Sequence, residues 1–160
     1  MYVSFNTLPP NSRVWIYQSN RLLTNNEIEF LRKELKFFLK NWTSHDKDIE
    51  SSYDLIYKRF LVIGLNQNIT SARGCSIDKC IRFVKSLQSK FGMNFLDRLI
   101  VAYRVEDDIK TVNLNEFESM IKRNVLLSHT IVFNNMVDTK ESYQKKWEVP
   151  ISRSWHKRFL

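Results

Sequence analysis

Glycine and proline are scarce, three of each in 160 residues, so the chain has no room for a collagen-like, Pro-rich or Gly/Ser-linker segment. Cysteine is scarcer still. Cys75 and Cys80 lie five residues apart on what reads as one helix start, too few and too close for the disulfide framework of a secreted domain, and they are expected as free thiols. Their spacing is not that of a Cys-x2-Cys clamp, and His45, His129 and His156 form no His-x3-His pattern, so zinc is discounted and no metal or other cofactor is expected. No run of about eighteen apolar residues occurs. The segment Met1 to Pro10 has neither a basic n-region nor an apolar h-region, so a cytoplasmic protein without a membrane anchor is expected.

What is abundant is apolar and basic. Hydrophobic residues make up 43% and aromatic residues 13%, enough for a packed core, and one domain over 1–160 is expected, with its core at about 12–134 and a basic, aromatic tail at about 139–160. The net charge of +8 attracts anionic partners and points to RNA or a ribonucleoprotein. Compositional drift is the competing explanation, since Asn, Lys, Ile and Phe are all frequent. Eleven of the 25 cations are Arg, which such drift does not favour, and the two readings stand level.

Hydrophobic periodicity outlines the elements. Ser12 to Gln18 alternates, Val14 and Ile16 against Trp15 and Tyr17, as a strand does. Thr24-Asn-Asn-Glu27 is a capping box, and Ile28, Leu31, Leu35, Phe38, Leu39 and Trp42 follow at helical spacing. After a polar loop at 43–50, the runs 53–57 and 60–63 read as a hairpin with poor turn residues near Lys58-Arg59. A second helix follows Gly74 and stops at Gly92. Further on, the sequence predicts a hairpin at 99–114, a short helix opening on Asn115-Glu-Phe-Glu118, and a strand at 130–133. Two short helices are predicted at 139–147 and 152–159, separated by Pro150. The expected fold is therefore α+β, a ferredoxin-like β-α-β-β-α-β sandwich extended by a hairpin strand, a short helix and a helical C-terminal tail.

Chemistry is most concentrated at Arg73-Gly74-Cys75-Ser76-Ile77-Asp78, the mouth of the second helix. With Ser76 as N-cap, its hydroxyl accepts a first-turn amide proton, Asp78 faces the positive helix end, and Cys75 lies just outside. In the plainest reading Gly74 permits the turn, Ser76 and Asp78 cap the helix, and Cys75 is a small buried side chain. In a second, the free amides and Arg73 hold a phosphate or carboxylate, an anion site made by Arg73, Gly74, Cys75, Ser76 and Asp78. In a third, the helix dipole and Arg73 favour the thiolate, and Cys75 is the candidate catalytic residue of a small thiol-dependent enzyme. The capping reading weighs most, because such residues are expected at any helix start. Asp46, Asp48 and Glu50, and the pair Asp107-Asp108, sit in polar loop and turn stretches where solvated charge is usual.

Two features bear on nucleic acid. Trp15, Tyr17, Tyr53, Tyr57 and Tyr103 can share one sheet face as a stacking platform for bases. Against this, Lys58-Arg-Phe-Leu-Val-Ile63 lacks the RNA-recognition signature, and a tail carrying Tyr143, Trp147, Trp155 and Phe159 is the better-supported cover for so large an apolar patch. The basic candidates for phosphate contact are Lys79, Arg82 and Lys85 on the second helix, with Lys145, Lys146, Arg153, Lys157 and Arg158 in the tail. A protein complex is the remaining expectation for a partner.

Gly74-Cys-Ser-Ile-Asp78, Leu8-Pro-Pro, Arg13-Val-Trp-Ile-Tyr17, Phe133-Asn-Asn135, Trp147-Glu-Val-Pro150, Ser154-Trp155 and Arg158-Phe159 together resemble a small family of Bacteroidota often labelled "ABC transporter ATPase". The resemblance runs nearly end to end and implies a lineage with a focus at Gly74 to Asp78. The label itself requires Gly-x4-Gly-Lys-Ser/Thr to wrap phosphates, and no glycine here precedes a lysine, so ATPase activity is not expected.

Overall fold

The computed structural model describes every residue except Ala72, and among the described residues are nine strands and four α-helices. β1 (Arg13–Gln18) leads into α1 (Asn25–Asn41), then a small hairpin of β2 (Thr43–Ser44) and β3 (Lys47–Asp48). A longer hairpin of β4 (Ser51–Ile56) and β5 (Phe60–Leu65) precedes α2 (Gly74–Phe91). β6 (Ile100–Val105) and β7 (Asp108–Asn113) run into α3 (Leu114–Lys122), followed by β8 (Ile131–Phe133), α4 (Lys140–Lys146) and β9 (Glu148–Pro150). Short 3₁₀ turns occupy Phe5–Thr7, Ile151–Arg153 and Trp155–Phe159.

Local chemistry explains the helix ends. The Thr24 hydroxyl accepts from the Glu27 amide while the Glu27 carboxylate accepts from the Thr24 amide, so both orphan donors are satisfied. At the far end of α2, Gly92 sits at φ 67° and its N–H returns to the Gln88 carbonyl, a left-handed position that favours glycine.

The strands form a sheet ordered β1-β5-β4 and a second ordered β7-β6-β8-β9, with all neighbours antiparallel. Alternation assigns the faces. Leu61, Ile63 and Leu65 of β5 pack on Leu31, Leu35 and Leu39 of α1 and on Cys80, Val84 and Leu87 of α2. The other face, Val14, Phe60 and Val62, meets Ala102 and Phe133 of the second sheet. That sheet's outer face, Val101, Tyr103 and Val132, packs on Phe117 and Ile121 of α3. The molecule is thus layered helix, sheet, sheet, helix, and β5 is buried along its whole length because it has a layer on each side. Gly64 of β5 makes room for the N-terminal segment, since a Cβ there would lie 2.8 Å from Leu8 Cδ1.

The α+β class holds, and the ferredoxin-like sandwich is corrected. The order β1-β5-β4 is what its first half requires, but its fourth strand should lie on the free edge of β1. A strand has only two edges, and those of β6 are taken by β7 and β8. The outer edge of β1 is met instead by the segment before α4, through Val14 N–H to the Asp138 carbonyl at 2.9 Å and a bridge between Arg13 and Thr139.

The tail also differs from a pair of helices. α4 begins at the capping residue Thr139, but 148–150 is a strand paired with β8, Pro150 included, at a sheet edge where a missing donor costs no ladder bond. The remaining 3₁₀ turns cover the α3 side of the second sheet through Ile151 and Phe159. α3 is capped by Asn113, whose side chain accepts from the Glu116 amide, two residues before the predicted opening. The chain passes from β7 directly into the helix, with the Leu114 amide tied to the Leu99 carbonyl.

Lys140 anchors the tail to the N-terminal segment. Only 6% exposed, it donates through Nζ to the carbonyls of Asn6 and Leu8 at 3.1 and 2.7 Å. Lys140→Met leaves both oxygens without their cationic partner and is expected to cost about 1–3 kcal/mol. A urea midpoint indistinguishable from wild type would refute it.

Candidate functional site

The mouth of α2 is a capping structure first. Helix geometry begins at Gly74, so Ser76 is inside the first turn rather than its N-cap, and its hydroxyl donates to the Arg73 carbonyl and accepts from the Arg73 amide. Ser76 is 0% exposed, and its own carbonyl accepts from Trp42 Nε1 at 3.0 Å. Arg73, Gly74, Cys75 and Asp78 are exposed, so Cys75 is neither just outside the helix nor buried. A hydroxyl turned inward is spent on the helix and does not face a bound anion.

Cys80 belongs to the core, where burial pushes its thiol up to about 12, and the Tyr17 hydroxyl lies 3.8 Å from its sulfur. Trp42 and the Lys79 Nζ to Thr43 carbonyl bond at 3.3 Å bring the β2–β3 hairpin, with His45 at its turn, onto the first turns of α2. Among the described residues no hydrogen bond links His45 to Cys75, or Cys75 to any other group. His156 packs against Phe117 of α3, in the opposite outer layer. Nor do any three of His, Cys, Asp and Glu among the described residues gather into a group able to hold a metal.

His156 is 2% exposed, stacked on Trp155 and edge-on to Phe117. Ser154 Oγ lies 2.6 Å from its Nδ1. Burial, reinforced by the neighbouring Arg158 charge, lowers its pKa to about 4. Above about pH 6.5 the ring is neutral in both folded and unfolded chains. Below that the unfolded chain takes up a proton that the folded chain resists, so stability falls with pH and the loss is complete near pH 4. Replacing His156 with Gln is expected to remove about 3 kcal/mol of the destabilisation between pH 7 and pH 4. Parallel pH dependences for the two proteins in denaturant melts would refute this.

The basic candidates do not converge. Lys79, Arg82 and Lys85 lie on α2; Arg153, Lys157 and Arg158 lie in the opposite outer layer; Lys145 and Lys146 end α4 at the margin between the sheets. All except Lys79 are exposed. Lys145 is held by Glu141 at 2.7 Å, and Arg158 lies over Trp155 and Phe159. The aromatic platform does not form either. Trp15, Tyr17 and Tyr53 lie beneath α1 and α2, Tyr103 belongs to the other sheet, and Tyr57 occupies a turn. Tyr143 and Trp147 of the tail cover the opposite face, between the sheets.

Two features escaped the sequence reading. α1 and α2 lie side by side and antiparallel, with Phe38 stacked on Phe83 at 4.4 Å and Phe30 on Phe91 at 5.9 Å. On the solvent side of that pair Phe30 and Phe37 are 54% and 73% exposed, beside Lys33 and Lys40. The signal was available, because both rings fall outside the apolar arc from Ile28 to Trp42. The second feature is a cluster around Tyr57. Its hydroxyl donates to Glu148 at 2.6 Å, and Glu148 also pairs with Arg104 Nε at 2.7 Å. The Arg104 guanidinium lies 5.0 Å over the Tyr57 ring. No sequence pattern links those three positions.

The fold and these surfaces define a mixed α+β protein with a basic helical face, and no helix among the described residues is long and apolar enough to cross a membrane. Compared with protein-family models, curated proteins and solved structures, the chain matches none.

Proposed function

We propose that this chain is a non-catalytic, cytoplasmic binding protein that meets single-stranded RNA, free or within a ribonucleoprotein, on the solvent face of the α1–α2 layer. The observation that carries the reading is the union of unpaired cations and exposed rings on one face. The two helices carry eight Lys and Arg against four Asp and Glu. Glu27 and Glu29 are already engaged by Arg21 and Arg32. Arg82, Lys85 and Lys90 are exposed and make no ion pair among the described residues. Such cations follow a phosphate backbone, while Phe30 and Phe37 offer π-faces to unstacked bases. Arg153, Lys157 and Arg158 form a second, separate patch, because two sheets lie between them and α2. The resemblance at Gly74 to Asp78 suggests the Bacteroidota lineage as part of this proposal and adds no activity to it.

Fluorescence anisotropy with a labelled single-stranded RNA tests the proposal. For about four phosphate contacts, raising salt from about 50 to about 200 mM lowers affinity roughly 50-fold. Salt-independent binding, or binding no stronger than to a neutral polymer, refutes it.

A further inference from the structure

The edge of the first sheet carries a surface of different chemistry. β4 is an edge strand, and its ladder with β5 turns the peptide groups of Ser52, Asp54 and Ile56 inward, which leaves those of Ser51, Tyr53 and Leu55 facing outward. Among the described residues, the chain's own backbone pairs with the first of these. The Ser51 amide donates to the Met1 carbonyl and the Ser51 carbonyl accepts from the Val3 amide, around a parallel bridge to Tyr2. At Ser4 the chain leaves the edge and enters the 3₁₀ turn Phe5–Thr7. Among the described residues no backbone bond reaches the outward groups of Tyr53 or Leu55.

A groove runs along those groups. One part, about 390 Å³, is lined by Tyr53 to Leu55, by Ser4 to Asn6 and by Arg32 of α1. A second part, about 300 Å³, continues to Tyr143, Trp147 and Glu148, and Phe5, Asn6 and Asp54 line both. An unpaired edge is a template for another strand.

We infer that this edge binds an extended peptide segment of a partner protein, paired in parallel with Tyr53 to Leu55 beyond the bridge made by Tyr2, with a Lys or Arg side chain on Asp54. The direction follows from the parallel pairing already made at Ser51. The basic side chain follows from Asp54, whose Oδ2 accepts from the Tyr143 hydroxyl at 2.9 Å while its other oxygen has no hydrogen-bond partner among the described residues. Glu148 is held by Arg104 and Tyr57, so Asp54 supplies the acceptor. This is strand addition with pockets for alternate side chains, and it stands or falls separately from RNA binding on the helical layer.

A phage-displayed random peptide library panned on the full chain supplies the probe, and calorimetry with a selected peptide supplies the measurement. Enriched peptides are expected to alternate apolar residues with Lys or Arg. Leu55→Pro removes an outward N–H at an edge position where proline is tolerated and is expected to weaken binding about tenfold. Asp54→Asn is expected to weaken it severalfold. A peptide N-methylated at alternate residues is expected to lose binding to the wild-type protein, a readout independent of how Leu55→Pro folds. The inference is overturned by no enrichment over the carrier, by selected peptides without basic residues, or by undiminished binding of the N-methylated peptide. A dimer in sedimentation that Leu55→Pro dissociates would overturn it too, by assigning the edge to a second copy.

Discussion

Replacing Arg82, Lys85 and Lys90 together with Gln is expected to weaken single-stranded RNA binding roughly 50-fold at about 0.15 M salt and to reduce the slope of log K against log salt by about 2. The three side chains are exposed and free of ion pairs among the described residues, so their removal deletes phosphate contacts without orphaning a carboxylate. Phe37→Ala is expected to add a loss of about 1–3 kcal/mol that does not change the salt slope, because stacking releases no counterions. Neutralising Arg153, Lys157 and Arg158 should have a smaller effect, since that patch lies in the other outer layer. Unchanged affinity and slope in the α2 triple variant, with its circular dichroism spectrum intact, would sink the proposed surface.

Phe60→Ala is expected to destabilise the fold by about 3–5 kcal/mol, a fall of about 10 °C in Tm. Phe60 is fully buried where the two sheets meet, with ring centroids of Phe133 and Trp147 both 4.8 Å away. Its contacts bind β5, β8 and the end of α4 together, so the cavity opens where tail and first sheet share a core. Phe37→Ala, at a ring 73% exposed, is expected to change stability by no more than about 0.5 kcal/mol. Equal shifts for the two variants in thermal melts would show that the inter-sheet core is not where the stability lies.

How far the chain could be read before folding depended on the range of the forces involved. Caps and stops were legible because they are satisfied within a turn: Thr24 with Glu27, Thr139 with Ser142, and Gly92 with Gln88 each close over three or four residues. The alternation of Val14 and Ile16 against Trp15 and Tyr17 likewise separated two faces correctly, since strand period is a property of the backbone. What each face meets was not legible. The helices, not the tail, cover Trp15 and Tyr17, and the tail fills the space behind Val14.

The β4–β5 turn shows the reason at a single point. Tyr57 and Lys58 sit at φ 59° and 53°, where Asn-Gly is favoured and a bulky side chain costs about 1–2 kcal/mol. The turn closes with Arg59 N–H on the Ile56 carbonyl at 3.2 Å. What offsets the strain is distant in sequence, the Glu148 carboxylate, the Arg104 guanidinium and the Trp147 ring around Tyr57.

The same division applies to the candidate sites. Arg73 to Asp78 stood out because capping residues announce a helix start, and the structure turns Ser76 inward to do that work. The groove along β4 joins segments near residues 5, 32, 54 and 147, and no local pattern can assemble those. The sequence by itself determined the α+β class, the helix ends at Thr24, Gly92 and Thr139 and the two faces of β1, because hydrogen bonds within a turn and the pleat of a strand need no partner. Tertiary structure alone decided that β6 leaves the first sheet, that 148–150 becomes a strand, and that an open edge remains at Tyr53 and Leu55. Each of those outcomes turned on which of several compatible edges and faces another element reached and occupied.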